Sequence, residues 1–352
     1  MEIGSHRIGR GSAVYVIAEA GVNHDGDLSQ AKDLVDIAAD SGADAVKFQT
    51  FDPDSLVTEG TAKAAYQEGS TDGEDTQYEM LQQLKLSHDD HRELRRYCDE
   101  AGITYLSTPF DERSASFLAE SGVPAIKIGS GELTNKPLLE HVATLGPPLV
   151  VSTGMATIDE VRDAYGWITD ANPEVEMALL HCTSVYPTEI EDVNLRAMET
   201  LDSAFSVPVG LSDHTTRVET PALAVAAGAT IVEKHFTLDR TLDGPDHGAS
   251  LEPDELDRAV GLVRTASDAR GDGEKEPVDA EAEMRRTTRR SLHANMSIPA
   301  GSAIDRSDIV VVRPAAGLPP SRIDEVCGTA PVRDIEAGTP ITEEALEKND
   351  DR

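Results

Sequence analysis

Two short apolar runs, Val207–Leu211 and Thr230–Glu233, each hand over a histidine at or just past their ends: His214 in GLSDHT and His235 in VEKHF. The segment Thr216–Ala227 between them is alanine-rich. Run, helix and run read as a βαβ unit, whose parallel strands bring both imidazoles to one edge of a sheet. Two imidazoles, with water and substrate oxygens in the remaining positions, would make an open site for a hard or borderline divalent ion able to polarise a carbonyl and orient a water. One structural and one catalytic histidine satisfy the same spacing.

Lysine is scarce in the chain, yet Lys47, Lys127 and Lys234 sit inside apolar runs. Lys47 and Lys127 share their strand-end positions with Thr108, Ser130, Ser152 and Ser212, and with the glycine-flanked amides of GSGE and STGM. Such a set forms an anion site suited to phosphate and carboxylate together. For any single lysine, a rim position paired with a carboxylate is the plainer explanation. Glu19 and Glu233 fit that pairing role, and equally the role of base or hydrogen-bond acceptor for a substrate.

These side chains need a scaffold that gathers many strand ends, and the chain alternates accordingly. Strand-like runs lie at 14–20, 45–50, 103–108, 125–130, 149–153, 177–182, 207–212 and 230–235. Helical segments follow them at Leu28–Ser41, His88–Glu100, Glu112–Ser121, Lys136–Thr144, Thr157–Asp170, Val193–Leu201, Arg217–Ala227 and Pro253–Arg270. Eight such pairs predict an α/β fold, a (β/α)8 TIM barrel over residues 1–270 with its chemistry at the C-terminal strand ends. A doubly wound open sheet rarely reaches eight regular units. Those ends carry Glu19 with Asn23 and His24, Gln49 beside Lys47, Ser107 beside Thr108, Thr153 beside Ser152, and His181 with Thr183, Ser184 and Tyr186. Asp213 precedes His214, and Glu233 and Lys234 precede His235.

Residues 52–86 form a long polar insertion on the active face, placed to cover a site. Residues 271–287 are charged, with Gly and Pro, and read as a linker to a small β-rich domain over 288–352.

The chain has 352 residues and 39% hydrophobic content, enough for a sizeable core. Its net charge of −34 argues against nucleic-acid or anionic-membrane binding. The acids are spread along the whole chain, which suggests a surface adapted to high salt and a halophilic source. No apolar stretch is long enough to span a bilayer, no signal peptide precedes the first run, and Cys98, Cys182 and Cys327 are far apart, so a cytoplasmic enzyme with reduced thiols is expected.

In order, AEAGVNHDG, VKFQTF, QYEML, STPFD, KIGSGE, STGM, LHCTSVYP, GLSDHT, EKHFTLD and GPDHGAS closely resemble the N-acetylneuraminate (sialic acid) synthase family, which includes legionaminic and pseudaminic acid synthases. The tail's IPAG and VVRPAAGL resemble that family's SAF, or antifreeze-like, domain. The resemblance implies a C–C bond-forming transferase that condenses phosphoenolpyruvate with an N-acetylmannosamine-type aldehyde and releases phosphate by C–O cleavage. It maps phosphoenolpyruvate onto Lys47, Thr108, Lys127, Ser130, Ser152 and Ser212, and a divalent metal, usually manganese with magnesium or cobalt as alternatives, onto His214 and His235. It maps the sugar onto Glu19, Gln49, Phe110, Ser184, Tyr186, Glu233 and Asp246, with Arg313 reaching in from a partner subunit, hence a domain-swapped homodimer. Glu19, His214 and His235 are the expected catalytic groups.

Two departures concern the acceptor. YQEGST puts Ser70 or a neighbour where the family often has asparagine, and Ser184 stands where sialic acid synthases often have asparagine. A diacetamido-trideoxy sugar, leading to a legionaminic-type product, is therefore an alternative acceptor. A 3-deoxy-aldulosonate synthase would need an extra basic cluster for a sugar phosphate, which the sequence lacks. A non-catalytic carbohydrate-binding protein is the reading of a different class.

Overall fold

The computed structural model describes residues 1–63 and 76–346. It divides into two compact units, Met1–Asp272 and Gly273–Arg352.

The first unit is built on eight parallel strands: β1 (Tyr15–Gly21), β2 (Ala45–Thr50), β3 (Thr104–Pro109), β4 (Ile126–Ile128), β5 (Leu149–Ser152), β6 (Met177–Cys182), β7 (Val209–Asp213) and β8 (Ile231–His235). They hydrogen-bond in the order β3-β2-β1-β8-β7-β6-β5-β4, and β3 and β4 lie side by side, so the sheet is a nearly closed TIM-type barrel. Around it run α1 (Leu28–Asp40), α2 (Pro53–Leu56), α3 (Gln77–Leu84), α4 (His88–Ala101), α5 (Glu112–Glu120), α6 (Lys136–Ala143), α7 (Ile158–Ala171), α8 (Ala197–Ala204), α9 (Thr220–Ala226) and α10 (Pro253–Arg270).

Strand alternation assigns every side chain a direction. Val16, Val46, Tyr105, Ile128, Val151, Leu179, Leu211 and Val232 point outward into the large core beneath the helices. Tyr15, Ile17, Ala45, Leu106, Ala125, Val150, Ala178, Leu180 and Ile231 point inward and fill the barrel's lower interior. Ile3 and Ile8, from the short antiparallel pair Glu2–Ile3 and His6–Arg7, join that interior cluster and plug the lower end. Gly210 of β7 has no room for a side chain: a Cβ there would meet the Ile231 carbonyl oxygen at 2.1 Å.

Helix starts carry their own sequence logic. Asp27 caps α1 by accepting from Ser29 and Gln30 N–H groups, and Ser87 and Thr157 form reciprocal capping boxes with Asp90 and Glu160. α9 begins at Thr220 rather than Arg217, because Pro221 suits only the first turn of a helix. α8 likewise begins at Ala197, after a 3-10 turn at Ile190–Asp192 and Asn194 at φ 45°.

In the second unit, β9 (Ser291–Ala294) pairs antiparallel with β10 (Ile309–Val312) over a small core that includes Leu292, Ile304, Leu318 and Ile341. The stretch expected as linker contains a 3-10 turn and α11 (Ala282–Thr288); α12 (Ile323–Val326) follows later. Ser291 Oγ donates to the Pro314 carbonyl at 2.7 Å and accepts the amides of Ala316 and Gly317, shaping the chain just after Arg313.

Candidate functional site

The inward parity that packs the lower barrel turns polar at its upper end. Glu19, Lys47, Gln49, Thr108, Lys127, Ser152, Cys182, Ser212, Glu233 and His235 each continue an inward-facing series, and together they line one cavity of about 420 Å³. Ser130, Phe110, Ser184, Tyr186, His214 and Asp246 join them from the following loops. Arg313, also expected from the sequence, belongs to the second unit, where it is exposed after β10. Ser70 lies outside the described residues.

The expected cation pair is not bare. Lys47 Nζ lies 2.7 Å from Glu19 and 3.8 Å from Glu233, and donates to Thr108 Oγ1 at 2.9 Å. Lys127 Nζ donates to Ser152 Oγ at 2.7 Å and to the Ile128 carbonyl at 3.1 Å, with Glu233 at 3.6 Å. Ser212 Oγ donates to Glu233 at 3.0 Å. All four charged groups are almost wholly buried, so each survives only through the others. Burial works against the charge on Lys47, but Glu19 and Glu233 outweigh it and hold the ammonium protonated. Burial wins at Lys127, whose pKa falls despite Glu233. At Glu19 burial, reinforced by Glu233, lifts the carboxyl well above the usual range against the pull of Lys47. At Glu233 burial is outweighed by Lys127 and Lys47, and its pKa falls. Two carboxyls in one cluster are thus driven apart, one ready to carry a proton and one held ionised.

The two histidines face each other with ring centroids 5.1 Å apart, and Tyr186 lies 4.1 Å from His214 and 5.7 Å from His235. The Thr183 carbonyl accepts from His214 Nδ1 at 2.8 Å, which leaves the lone pair on Nε2. Burial, then the nearby charges of His214 and the lysines, drives the His235 pKa well down, and its Nδ1 is buried without a hydrogen-bond partner. Burial works against charge on His214, but Cys182, the Thr183 carbonyl and Glu233 outweigh it and raise its pKa; His235 fits as a neutral nitrogen donor to a divalent ion, and His214 Nε2 joins it once that proton is given up. No cluster of three or more His, Cys, Asp or Glu groups that could hold a metal occurs among the described residues, so further ligands would be substrate or water oxygens.

Strand parity also separates groups the sequence had placed at the same edge. His181 points outward and hydrogen-bonds the Val193 carbonyl at 2.8 Å, away from the site. Lys234 points outward too, where it pairs with Asp213 at 2.7 Å behind the strands. Ser107 faces outward to Thr50, and Thr153 bonds the Leu180 carbonyl. Cys182, which had been read only as a reduced thiol, lines the cavity instead, with Sγ 3.8 Å from His214 Nδ1. Counting in twos from Ala178 and Leu180 would have found it.

Two backbone features complete the rim. Gly154 N–H donates to Ser130 Oγ at 2.9 Å, and a Cβ on Gly154 would lie 2.2 Å from Ser184 Oγ, so STGM needs its glycine. The loop carrying Asp246 is tied down on both sides. Ser250 Oγ donates to the Asp246 carbonyl while accepting from Asn23, and His247 bridges Thr237 and Asp25. Burial raises the Asp246 carboxyl. The insertion after β2, expected to cover the site, contributes Leu56, Val57, Met80, Leu81 and Leu84 to the cavity; Met80 and Leu81 belong to the QYEML motif, and the other three carry no signal beyond their apolarity.

Comparison with known proteins places this geometry. The NeuB family profile matches residues 34–275 and the SAF domain profile matches 289–347. The chain is 46% identical to the N,N'-diacetyllegionaminic acid synthase of Legionella pneumophila, over 96% of each chain. It is 37% identical to the human N-acetylneuraminate-9-phosphate synthase, over 95% of this chain and 93% of that one. The crystal structure of the N-acetylneuraminic acid (sialic acid) synthetase of Leptospira borgpetersenii, in complex with citrate, superposes with a TM-score of 0.73 at 35% identity, covering 81% of this chain and 94% of that one.

Proposed function

The chain belongs to the NeuB family, and from that premise we propose that it condenses phosphoenolpyruvate with an open-chain N-acyl amino sugar, giving a nonulosonic acid and phosphate. The observation that carries the reading is the single cavity in which a buried Lys47–Glu19–Glu233–Lys127 cluster meets a pair of facing imidazoles. Lys47 and Lys127, with Thr108, Ser130, Ser152 and Ser212, hold the phosphate and carboxylate of the donor. Glu19, Gln49, Phe110, Ser184, Tyr186, Glu233 and Asp246 line the acceptor's place, and Arg313 serves the site of a partner subunit in a homodimer.

His214 and His235 would hold a divalent ion, manganese by resemblance with magnesium or cobalt as alternatives, whose contribution is to polarise the acceptor aldehyde. The nucleophile is C3 of phosphoenolpyruvate itself, which forms the new bond to the aldehyde carbon; water then adds at C2, and the C2–O bond to phosphate breaks. The chain's residues orient the two substrates and keep bulk water out until the carbon–carbon bond forms. The Glu19 carboxyl, held near its protonation balance, can take up the proton released as water adds at C2.

The acceptor has two readings. N-acetylmannosamine is the first. The 46% identity to a diacetyllegionaminic acid synthase, against 37% to the human synthase, supports the second, a 2,4-diacetamido-2,4,6-trideoxyhexose. The test is purified protein with phosphoenolpyruvate, Mn²⁺ and each sugar, in buffers from low to molar KCl. Phosphate and ulosonic acid should appear together; neither forming with any N-acyl amino sugar would sink the proposal.

A further inference from the structure

The reaction leaves most of two sequence motifs without a task, NHDG after β1 and PDHGAS after β8, and the fold joins them. We propose that His247, held between Thr237 and Asp25, is a positioning residue of the acceptor site: it fixes the loop that aims the Asp246 carboxyl at the sugar, without touching substrate itself. The inference rests on the proposed condensation and adds the group that sets its acceptor geometry.

Asp246 stands on the loop between β8 and α10, and its carboxyl has no hydrogen bond or ion pair among the described residues. That carboxyl nonetheless meets two other groups proposed for the sugar at one point. A Cβ on Gly21, at the irregularity in the pairing of β1 with β2, would lie 3.3 Å from Gln49 Nε2, 3.4 Å from Glu19 Oε1 and 3.5 Å from Asp246 Oδ2. Three polar atoms from two strands and a loop thus face one patch that glycine leaves open. With no partner on the Asp246 carboxyl itself, its place depends on the backbone beneath it.

His247 sets that backbone. Its ring is wholly buried behind the cavity lining. Nε2 lies 3.0 Å from Asp25 Oδ1, and Nδ1 lies 2.6 Å from Thr237 Oγ1. A carboxylate only accepts, which puts a proton on Nε2; in the neutral ring Nδ1 then accepts from the Thr237 hydroxyl. One ring therefore ties together the chain leaving β8, the Asp246 loop and the turn after β1. Asp25 makes its contact from φ 50°, a left-handed conformation that Asp and Asn tolerate better than most residues. A second tie runs from Asn23, whose Nδ2 donates to the Phe236 carbonyl at 2.8 Å and to Ser250 Oγ at 3.0 Å, while Ser250 Oγ donates to the Asp246 carbonyl at 2.6 Å. The amide tie fixes one backbone atom of Asp246, and the buried ring of the next residue fixes the direction of the peptide.

A buried histidine with both nitrogens satisfied is ordinarily structural, and the two roles differ in what the loss of the ring touches. Removing a merely structural ring weakens the fold and the sites of both substrates. Removing a positioning ring moves one carboxyl, and displacing such a group by about 1 Å can cost up to about a hundredfold.

The test measures initial rates of phosphate release with phosphoenolpyruvate and the acceptor varied separately, using N-acetylmannosamine and the 2,4-diacetamido-2,4,6-trideoxyhexose. Asp25→Ala and His247→Ala should each raise the acceptor KM by about tenfold or more, with the KM for phosphoenolpyruvate within about twofold of native. Asp25→Asn keeps an acceptor oxygen and a residue suited to the left-handed turn, and should stay within about threefold of native. Adding Asp25→Ala to Asp246→Ala should change the acceptor KM by less than about twofold, because the carboxyl that Asp25 helps to position is already gone. The Asp25 side chain is 25% exposed, so its variants carry the reading if His247→Ala folds poorly. Three results would each overturn the inference and leave the condensation standing: an acceptor KM unchanged in Asp25→Ala, an equal rise in both KM values, or an Asp25→Asn protein as impaired as Asp25→Ala. A further loss of about tenfold on the Asp246→Ala background would do the same. No turnover of either acceptor by the native protein would defeat the condensation and this inference together.

Discussion

Lys127 donates to two oxygens, Ser152 Oγ and the Ile128 carbonyl, and has one carboxylate, Glu233, within ion-pair distance. Lys127→Met deletes the donor to Ser152 and the cation 3.6 Å from Glu233, leaving that buried carboxylate with Ser212 and the more distant Lys47. If Lys127 binds the donor's anionic groups, the KM for phosphoenolpyruvate should rise by about 30-fold or more while the far-ultraviolet circular dichroism stays native. An unchanged KM would remove Lys127 from the donor site. A second residue-scale consequence lies behind β3, where His91 accepts or donates at Tyr105 OH through Nδ1 and has no partner at Nε2. Burial lowers its pKa to about 3, well under its ordinary 6.5. A histidine depressed in the folded state leaves stability intact above pH 6.5; the loss begins as pH falls and the unfolded chain takes up the proton the folded one refuses. At pH 5 this single site should cost about 2 kcal/mol relative to pH 7.5. Urea unfolding at the two pH values should show that loss in the native protein and a smaller one in His91→Gln.

At the scale of elements, the outward face of β7 and β8 holds the imidazoles in place without touching substrate. Lys234 Nζ bonds Asp213 Oδ2 at 2.7 Å and also the Thr215 carbonyl, while Asp213 Oδ1 accepts the Thr215 N–H at 2.9 Å, so the residues on both sides of His214 are fixed. Lys234→Met strands a buried carboxylate and should lower the unfolding free energy by about 3–5 kcal/mol, with Lys234→Met/Asp213→Asn recovering a good part of it. Additive losses in a urea double-mutant cycle would show the pair to be uncoupled. The same two strands show what could be read from the chain. Apolar runs and helical segments marked all eight strand–helix units, because burial imposes periodicity on sequence. The residue types at the strand ends pointed to Lys47, Lys127, Glu233 and the two histidines, all of which line the cavity. Residue type alone does not tell the two faces of a strand apart; parity does, and it sends Lys234 and His181 outward and Cys182 inward. The position of the insertion predicts a cover over the site and QYEML marks Met80 and Leu81, but which of its side chains meet the cavity depends on how it folds back over the barrel.

The whole molecule carries 65 acidic against 31 basic residues, and the ion pairs outside the barrel centre are mostly exposed and contribute little each. Self-repulsion at a net charge of −34 is therefore the dominant surface term, and it is screened over only about 3 Å at 1 M salt. Activity and melting temperature should both rise from 0.1 to about 2 M KCl; a flat response would remove the case for a halophilic surface. The larger question is whether one chain suffices. Arg313 follows β10 in the second unit, exposed, in a segment shaped by Ser291, and its proposed place is the cavity of another copy. Mixing answers this with two inactive proteins. Lys127→Ala has a defective barrel with an intact Arg313, and Arg313→Ala has the reverse. If the arginine acts across a dimer, each mixed dimer regains one complete site. Unfolding and refolding equal amounts of the two together should then restore about a quarter of the native specific activity. If Arg313 acts within its own chain, or not at all on the sugar, the mixture should recover nothing beyond the sum of the two variants.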